Sequence, residues 1–296
     1  MDRAQLLQQL INGLSVGSIF ALVALGYTMV YGILQLINFA HGEILMSGAY
    51  VGYFCMSHLH LGFFEALFIA MAACSLLGVM IERIAYRPLR GSSRITLLIT
   101  AIGVSLIMQY TMMYFVGARV RAYPPLPGFV AGSFTIGDVV IKNMQLLIIG
   151  ISVLLMVLLQ YIVKRTKVGK AMRAVSQDME AARLMGISVD NTISLTFALG
   201  SALAGAAGVL VGAYYNSIDP LMGLMPGLKS FVAAVFGGIG LIPGALIGSY
   251  IIGLLETAVA DRGFSMYRDA VVFAVLIGIL IVKPTGLLGK NIKEKV

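Results

Sequence analysis

Gln35, Asn38, His41 and Glu43 stand two or three residues apart inside otherwise apolar sequence. An imidazole and a carboxyl at that spacing could pass a proton or line the route of a polar substrate. A carboxyl group in hydrocarbon is costly, so it generally faces a pathway or a partner. A structural role is equally open: Asn38 could cap the helix that follows, with Glu43 near its positive end. Glu65, Glu82, Lys229 and Glu256 are scattered through later apolar stretches. Glu82 and Lys229 lie near segment ends, where long charged side chains snorkel or pair. Cys55 and Cys74 sit in apolar sequence with no His or Cys at metal-ligand spacing, so neither a disulfide framework nor a metal site is expected. Gly289-Lys290-Asn291 lacks the Ser or Thr of a nucleotide-binding loop, and Gly238-Ile-Gly240-Leu-Ile-Pro243 ends in proline and reads as a turn or helix break. No nucleophile elbow or zinc-protease motif is present, so the chain is not read as an enzyme and no cofactor is expected.

The elements that would position these residues are membrane helices. Of the 296 residues 59% are hydrophobic and only 11% charged, against about a quarter charged in soluble domains, which points to an all-α, polytopic integral membrane protein in a lipid bilayer. Nine apolar segments can be drawn, near 10–35, 39–58, 63–82, 95–117, 143–163, 191–215, 221–240, 244–260 and 267–283. Eight crossings result if one is re-entrant or broken. The seventh is the better candidate than the second, because Pro220, Pro226 and Lys229 interrupt its start and Gly237, Gly238, Gly240 and Pro243 its end.

Charge sets the orientation. Fourteen of the 21 basic residues fall in three places: Arg83, Arg87, Arg90 and Arg94; Lys164, Arg165, Lys167, Lys170, Arg173 and Arg183; and Lys283, Lys290, Lys293 and Lys295. That distribution follows the positive-inside rule rather than a nucleic-acid groove, so no nucleic-acid partner is expected. With these loops cytoplasmic, the loops 118–142, 216–220 and 261–269 and the N-terminus lie outside, and the C-terminus inside. The sequence Met-Asp-Arg-Ala-Gln shows no cleaved signal peptide. In the outer loop, Gly137-Asp138 between β-branched residues predicts a small hairpin over 133–141. Small residues repeat every four positions at Gly200, Ala204, Gly208 and Gly212 and at Gly13, Gly17 and Ala21, a pattern that lets helix backbones approach closely.

The longest charged run, Lys164 to Ile187, separates two apolar segments and cannot lie in hydrocarbon. Met172, Val175, Met179, Ala182 and Met185 recur at spacings of three and four, which predicts one apolar face on a helical hairpin at the membrane surface. Ser176, with Asp178 and Glu180 after it, would start the second helix, and Gly186 would stop it. On physics alone this is either an amphipathic linker on headgroups or an interface.

The blocks Asn12-Gly-Leu-Ser-Val-Gly-Ser-Ile-Phe-Ala-Leu-Val-Ala-Leu-Gly-Tyr-Thr-Met-Val-Tyr-Gly32 and Ile37-Asn-Phe-Ala-His-Gly-Glu43 resemble permease subunits of bacterial branched-chain amino acid importers, in particular the smaller of the two permeases. Gly169-Lys-Ala-Met-Arg-Ala with Asp178 and Gly186-Ile, and Ala233-Ala-Val-Phe-Gly-Gly-Ile-Gly-Leu-Ile-Pro-Gly244, resemble further blocks, so the likeness covers essentially the whole chain. Glu180-Ala-Ala-Arg-Leu-Met-Gly186 matches in spacing the family's coupling motif Glu-Ala-Ala-x-x-x-Gly. The chain then departs from other importers, reading Ile187-Ser-Val-Asp190 where they place a proline after the glycine.

This resemblance implies a single transmembrane permease domain over 1–296 in the bacterial inner membrane, with a periplasmic loop 118–142 and a cytoplasmic coupling loop 164–190. Gly169, Arg173, Asp178, Glu180, Ala181, Ala182 and Gly186 would couple it to an ATPase. The implied partners are a second permease subunit, two ATP-binding subunits and a periplasmic substrate-binding protein, and the implied cargo is leucine, isoleucine or valine. Asn38, His41 and Glu43 are the candidates for the translocation pathway. The rivals are a permease for urea or short amides, an ion-coupled secondary transporter using His41 and Glu43 as a relay, and a passive channel.

Overall fold

The computed structural model describes residues 3–289. Helix α1 (Arg3–Leu34) is followed by a non-helical break over 35–40, in which Gln35 takes a left-handed backbone (φ 50), and then by α2 (His41–Ser57). Helix α3 (Phe63–Ile81) runs on through a π turn and a 3-10 turn to Leu89. Ser93 caps α4 (Arg94–Val116) by accepting a hydrogen bond from the Thr96 N–H, and Gly117 ends that helix with φ 89. Beyond it come β1 (Arg121–Ala122), the single turn α5 (Gly128–Ala131), β2 (Ser133–Ile136) and β3 (Val139–Lys142). Helices α6 (Asn143–Arg165), α7 (Lys167–Gln177), α8 (Met179–Leu184) and α9 (Val189–Tyr215) lead to β4 (Ser217–Ile218). The chain closes with α10 (Leu224–Gly237), α11 (Ile242–Asp261) and α12 (Arg268–Val282).

Seven of these helices are long and apolar enough to cross a membrane: α1, α3 with its extension, α4, α6, α9, α11 and α12. The other two apolar segments form α2, of 17 residues, and α10, of 14, each preceded by a break. The sequence pointed to one interrupted segment; the structure has two. The expectation of purely helical structure also needs a small correction, because two two-stranded sheets are present. β2 and β3 make the hairpin expected around Gly137-Asp138, with Gly137 at φ 61, and β1 pairs with β4.

The interior belongs to α1 and α9, whose apolar windows are 89% and 78% buried, against 17% for α4 and 6% for α12. A helix apolar all round belongs in an interior. α9 lies against α1, α2 and α3, and α1 lies along α11. The small-residue stripes are what let them meet: a Cβ on Gly208 would fall 2.0 Å from the Leu45 carbonyl oxygen, and one on Gly17 3.0 Å from the Tyr250 Cα.

The loops sort into two ends as charge parity requires. At one, Arg87 and Arg90 pair with Asp190, so the 83–94 loop and the 164–190 loop are joined. At the other, Val140 N–H donates to Gln8 (2.9 Å), Gln145 donates to Asn12 (2.6 Å), Gln9 donates to Asp261, and Tyr123 N–H donates to the Asn216 carbonyl (3.0 Å). The N-terminal turn of α1 therefore sits with the 118–142 and 261–269 loops, away from the basic end. Lys290, Lys293 and Lys295 of the third basic cluster lie outside the described residues.

Candidate functional site

The intramembrane polar residues do not form one cluster. Asn38 does not cap α2, whose N-cap is Ala40 without a side-chain hydrogen bond; the Asn38 Oδ1 instead accepts from the Tyr86 hydroxyl at 2.7 Å, joining the 35–40 break to the end of α3. His41 is turned toward α1, where a Cβ on Gly26 would fall 2.1 Å from its Nε2 and where Tyr27 meets its ring edge-on at 4.9 Å. Glu43 points to α4, accepting from Gln109 Nε2 at 2.7 Å and from Ser105 Oγ at 3.4 Å through Oε1. Asn38, His41 and Glu43 are each 1% exposed; the His41 N–H donates to the Asn38 carbonyl oxygen at 3.0 Å, but among the described residues no side-chain hydrogen bond joins any two of them. Glu43 does sit in the first turn of α2, near the positive helix end, as the sequence suggested.

Glu43 has an incomplete shell. Its Oε2 lacks a hydrogen-bond partner, although the residue is buried. Beside it lies a cavity of about 310 Å³ lined by the first turn of α2, by Gly223, Leu224, Gly227 and Leu228 of α10 and its N-cap, by Tyr27 and Phe39, and by Ile102, Ser105, Leu106 and Gln109 of α4. The two interrupted helices touch here backbone to backbone: a Cβ on Gly42 would fall 2.5 Å from the Gly223 carbonyl oxygen, and one on Gly223 2.3 Å from that of Gly42. Sequence reading passed over Ser105 and Gln109. Their signal was available, since they stand four residues apart on one face of an otherwise apolar helix.

The other intramembrane charges each have at least one charged or polar partner, although Glu256 Oε2 and Arg90 Nε, like Glu43 Oε2, accept or donate no hydrogen bond among the described residues. Lys229 bridges Glu256 Oε1 (2.8 Å) and Asp269 Oδ1 (2.6 Å), so it pairs rather than snorkels. Glu82, fully buried, is held by Arg90 and by the Ser194 hydroxyl (2.5 Å). Glu65 caps α3 by accepting from the Gly62 N–H at 2.9 Å.

At the basic end, α7 and α8 form the predicted helical hairpin. The Thr166 hydroxyl accepts from the Gly169 N–H (3.1 Å) to start α7, and Asp178 Oδ1 accepts from Glu180 N–H (2.9 Å) and Ala181 N–H (3.0 Å) to start α8. Asp178 is thus the cap expected of Ser176, which lies inside α7; a carboxylate serves better there because it also meets the positive helix end. Gly186 ends the hairpin with φ 80. Met172, Val175 and Ala182 are buried on the expected apolar face, but Met185 does not join them: it and Leu184 are 82% and 88% exposed. The reason is that α8 closes at Leu184, and the left-handed turn at Gly186 swings Met185 off the helix face.

The coupling candidates fall into two groups. Gly169 and Ala182 face inward, Gly169 because a Cβ there would fall 2.2 Å from the Val163 carbonyl oxygen, and Arg173 donates to that same carbonyl. Gly169 and Arg173 fix the α6–α7 corner, while Ala182 is the buried residue of α8. Glu180, Ala181 and Gly186 are exposed at the tip, with Asp178 as the cap between the helices.

A family model described as the branched-chain amino acid transport system / permease component matches residues 9–280. The chain belongs to this family. It is 44% identical over 300 residues to the high-affinity branched-chain amino acid transport system permease protein BraD of Pseudomonas aeruginosa, covering 98% of each chain. It is 43% identical over 307 residues to the corresponding LivH protein of Escherichia coli K12, covering 98% of this chain and 97% of the relative. A solved structure described as an inward-facing conformation of a metal-chelate type ABC transporter shares the fold, with TM-score 0.50 and 18% identity over 94% of this chain and 85% of the other. The two named relatives are permease proteins. The protein is a multi-pass membrane protein of the permease type.

Proposed function

We propose that the chain is the membrane-spanning permease subunit of an ATP-driven importer that carries leucine, isoleucine or valine across the bacterial inner membrane. It pairs with a second permease, two ATP-binding subunits and a periplasmic substrate-binding protein. In this reading the end bearing the 164–190 loop is cytoplasmic and the 118–142 loop periplasmic. The nine apolar helices then make nine passages, with α2 and α10 completing theirs through the extended breaks before them. Asn38, His41 and Glu43 remain the pathway candidates, each with one buried side-chain atom that has no hydrogen-bond partner among the described residues, and of the three it is Glu43 that lines the cavity between α2, α10 and α4.

The observation that carries this reading is the α7–α8 hairpin. It leaves Leu184 and Met185 exposed side by side where α8 ends, an apolar pair that a partner would cover. Its base is tied to α6 through Arg173 and Val163, and Asp190, immediately after it, is tied to Arg87 and Arg90 beyond α3. A rod held at both ends transmits a push as a rigid body. An ion-coupled carrier or a channel has no use for such a lever. The test is purification of the tagged chain in mild detergent, with identification of the chains that accompany it, and reconstitution of the assembly in liposomes. A second permease and an ATPase with ATP-dependent leucine accumulation are expected; accumulation without ATP by the chain alone would overturn the reading.

A further inference from the structure

The cavity between α2, α10 and α4 combines features that no packing role requires. Two helix N-termini, each carrying a partial positive charge, open on the same space. Glu43 reaches that space with one oxygen held by Gln109 and Ser105 and the other, Oε2, unpartnered though the residue is 1% exposed. Leaving a buried carboxyl oxygen without a donor costs free energy, so a site that keeps one is completed by something else. The rest of the lining is apolar and aromatic: Phe39, Ile102, Leu106 and Leu228. At about 310 Å³ the space lies at the small end of ligand pockets, which run from roughly 300 to 1,000 Å³.

The electrostatics select a ligand class. A lone cation would meet two positive helix ends, and a lone anion would meet Glu43. A molecule carrying both charges on neighbouring atoms satisfies both features, and an aliphatic group on it satisfies the lining. We propose that this cavity is a transient binding site for a zwitterionic aliphatic amino acid, its ammonium on Glu43 Oε2 and its carboxylate toward the first turns of α2 and α10. Broken helices that aim their N-termini at a substrate carboxylate near the membrane midplane are a recurring transporter device. The proposal rests on the importer reading above and gives that pathway a defined station, shared by the α2 and α10 breaks.

The test uses the complete transporter in liposomes. Glu43→Gln keeps an amide oxygen for Gln109 but removes the charge; Gln109→Ala keeps the charge but removes the tie to α4. Glu43→Gln is expected to lower leucine uptake roughly 30-fold or more, the scale of losing one partner of a buried charge pair. Gln109→Ala should lower it only a few-fold. Leu106→Trp, which fills the cavity without touching the carboxyl, should lower uptake as Glu43→Gln does and covers the case in which that variant fails to assemble. In a transporter carrying Ile102→Cys, leucine should slow maleimide labelling, whereas leucinamide and 4-methylpentanoate, each lacking one of the two charges, should not. Wild-type uptake in both Glu43→Gln and Leu106→Trp would overturn the proposal, as would equal losses in Glu43→Gln and Gln109→Ala, or protection by 4-methylpentanoate equal to that by leucine. If the unaltered transporter itself accumulates no leucine with ATP, the importer reading fails first and this site falls with it.

Discussion

α2 and α10 each begin after a non-helical stretch, and their first turns touch through Gly42 and Gly223, yet their charged residues are treated oppositely. On α10, Lys229 is bound by two carboxylates from α11 and α12, Glu256 and Asp269. On α2, Glu43 has no ion-pair partner among the described residues and is held only by the neutral groups of Gln109 and Ser105 beside a cavity. Both groups are costly in hydrocarbon, so each persists for a reason. A matched ion pair holds the two following helices against α10, and thereby fixes one wall of the cavity. The unmatched carboxyl of the other wall is left for a mobile partner. One interruption carries a lysine held between two carboxylates; the other carries a carboxyl without a cation, the place proposed above for a ligand's ammonium.

The contrast can be broken most severely at Lys229. Lys229→Ala leaves Glu256 buried without its lysine and is expected to cost about 3–5 kcal/mol, read as loss of folded protein in detergent melting; replacing Lys229 and Glu256 together by Met should recover most of it. A single variant as stable as the parent would make the pair incidental and erase the difference between the two helices. On the α2 side, Gln109→Ala should cost about 1–3 kcal/mol, because it removes one neutral donor from a buried carboxyl rather than an ion-pair partner. A loss as large as that of Lys229→Ala would make Glu43 an anchor too.

Smaller effects calibrate the scale away from the membrane interior. Asp178→Ala removes the α8 cap and should cost about 1 kcal/mol, with ATP-driven uptake falling as the hairpin frays, measured by proteolysis of the 164–190 loop alongside uptake. Met185→Ser, at an exposed position, should change stability by less than about 0.5 kcal/mol yet weaken copurification of an ATP-hydrolysing chain. Equal copurification of that chain by the variant and the parent would remove Met185 from the interface.

Much of this was legible in the sequence because it depends on local chemistry. Apolar runs bounded by charge located the nine helices, Gly137-Asp138 located the hairpin, and the three-and-four spacing of Met172, Val175 and Ala182 located the face that α7 and α8 bury. Ser176 was misjudged against Asp178 because both residue types cap helices, and only the backbone path shows which one stands outside the first turn. Met185 was misplaced because helical spacing was extended one residue past the end of α8 at Leu184, just before Gly186 turns the chain left-handed.

The sequence by itself determined that the protein lives in a membrane, which end carries the basic loops, and that a charged helical hairpin projects there, since composition and period are properties of single segments. Pairing between segments was the work of the tertiary structure. It joined Lys229 to Glu256 and Asp269 across three helices, separated Asn38, His41 and Glu43 onto different neighbours, and brought Ser105 and Gln109 to Glu43 from more than sixty residues away. It also set the first turns of α2 and α10 against each other. His41 and Glu43 stand two residues apart on a helix of 3.6 residues per turn and so face opposite ways, Asn38 lies in the break before that helix, and what each one meets is fixed by which element packs on that side.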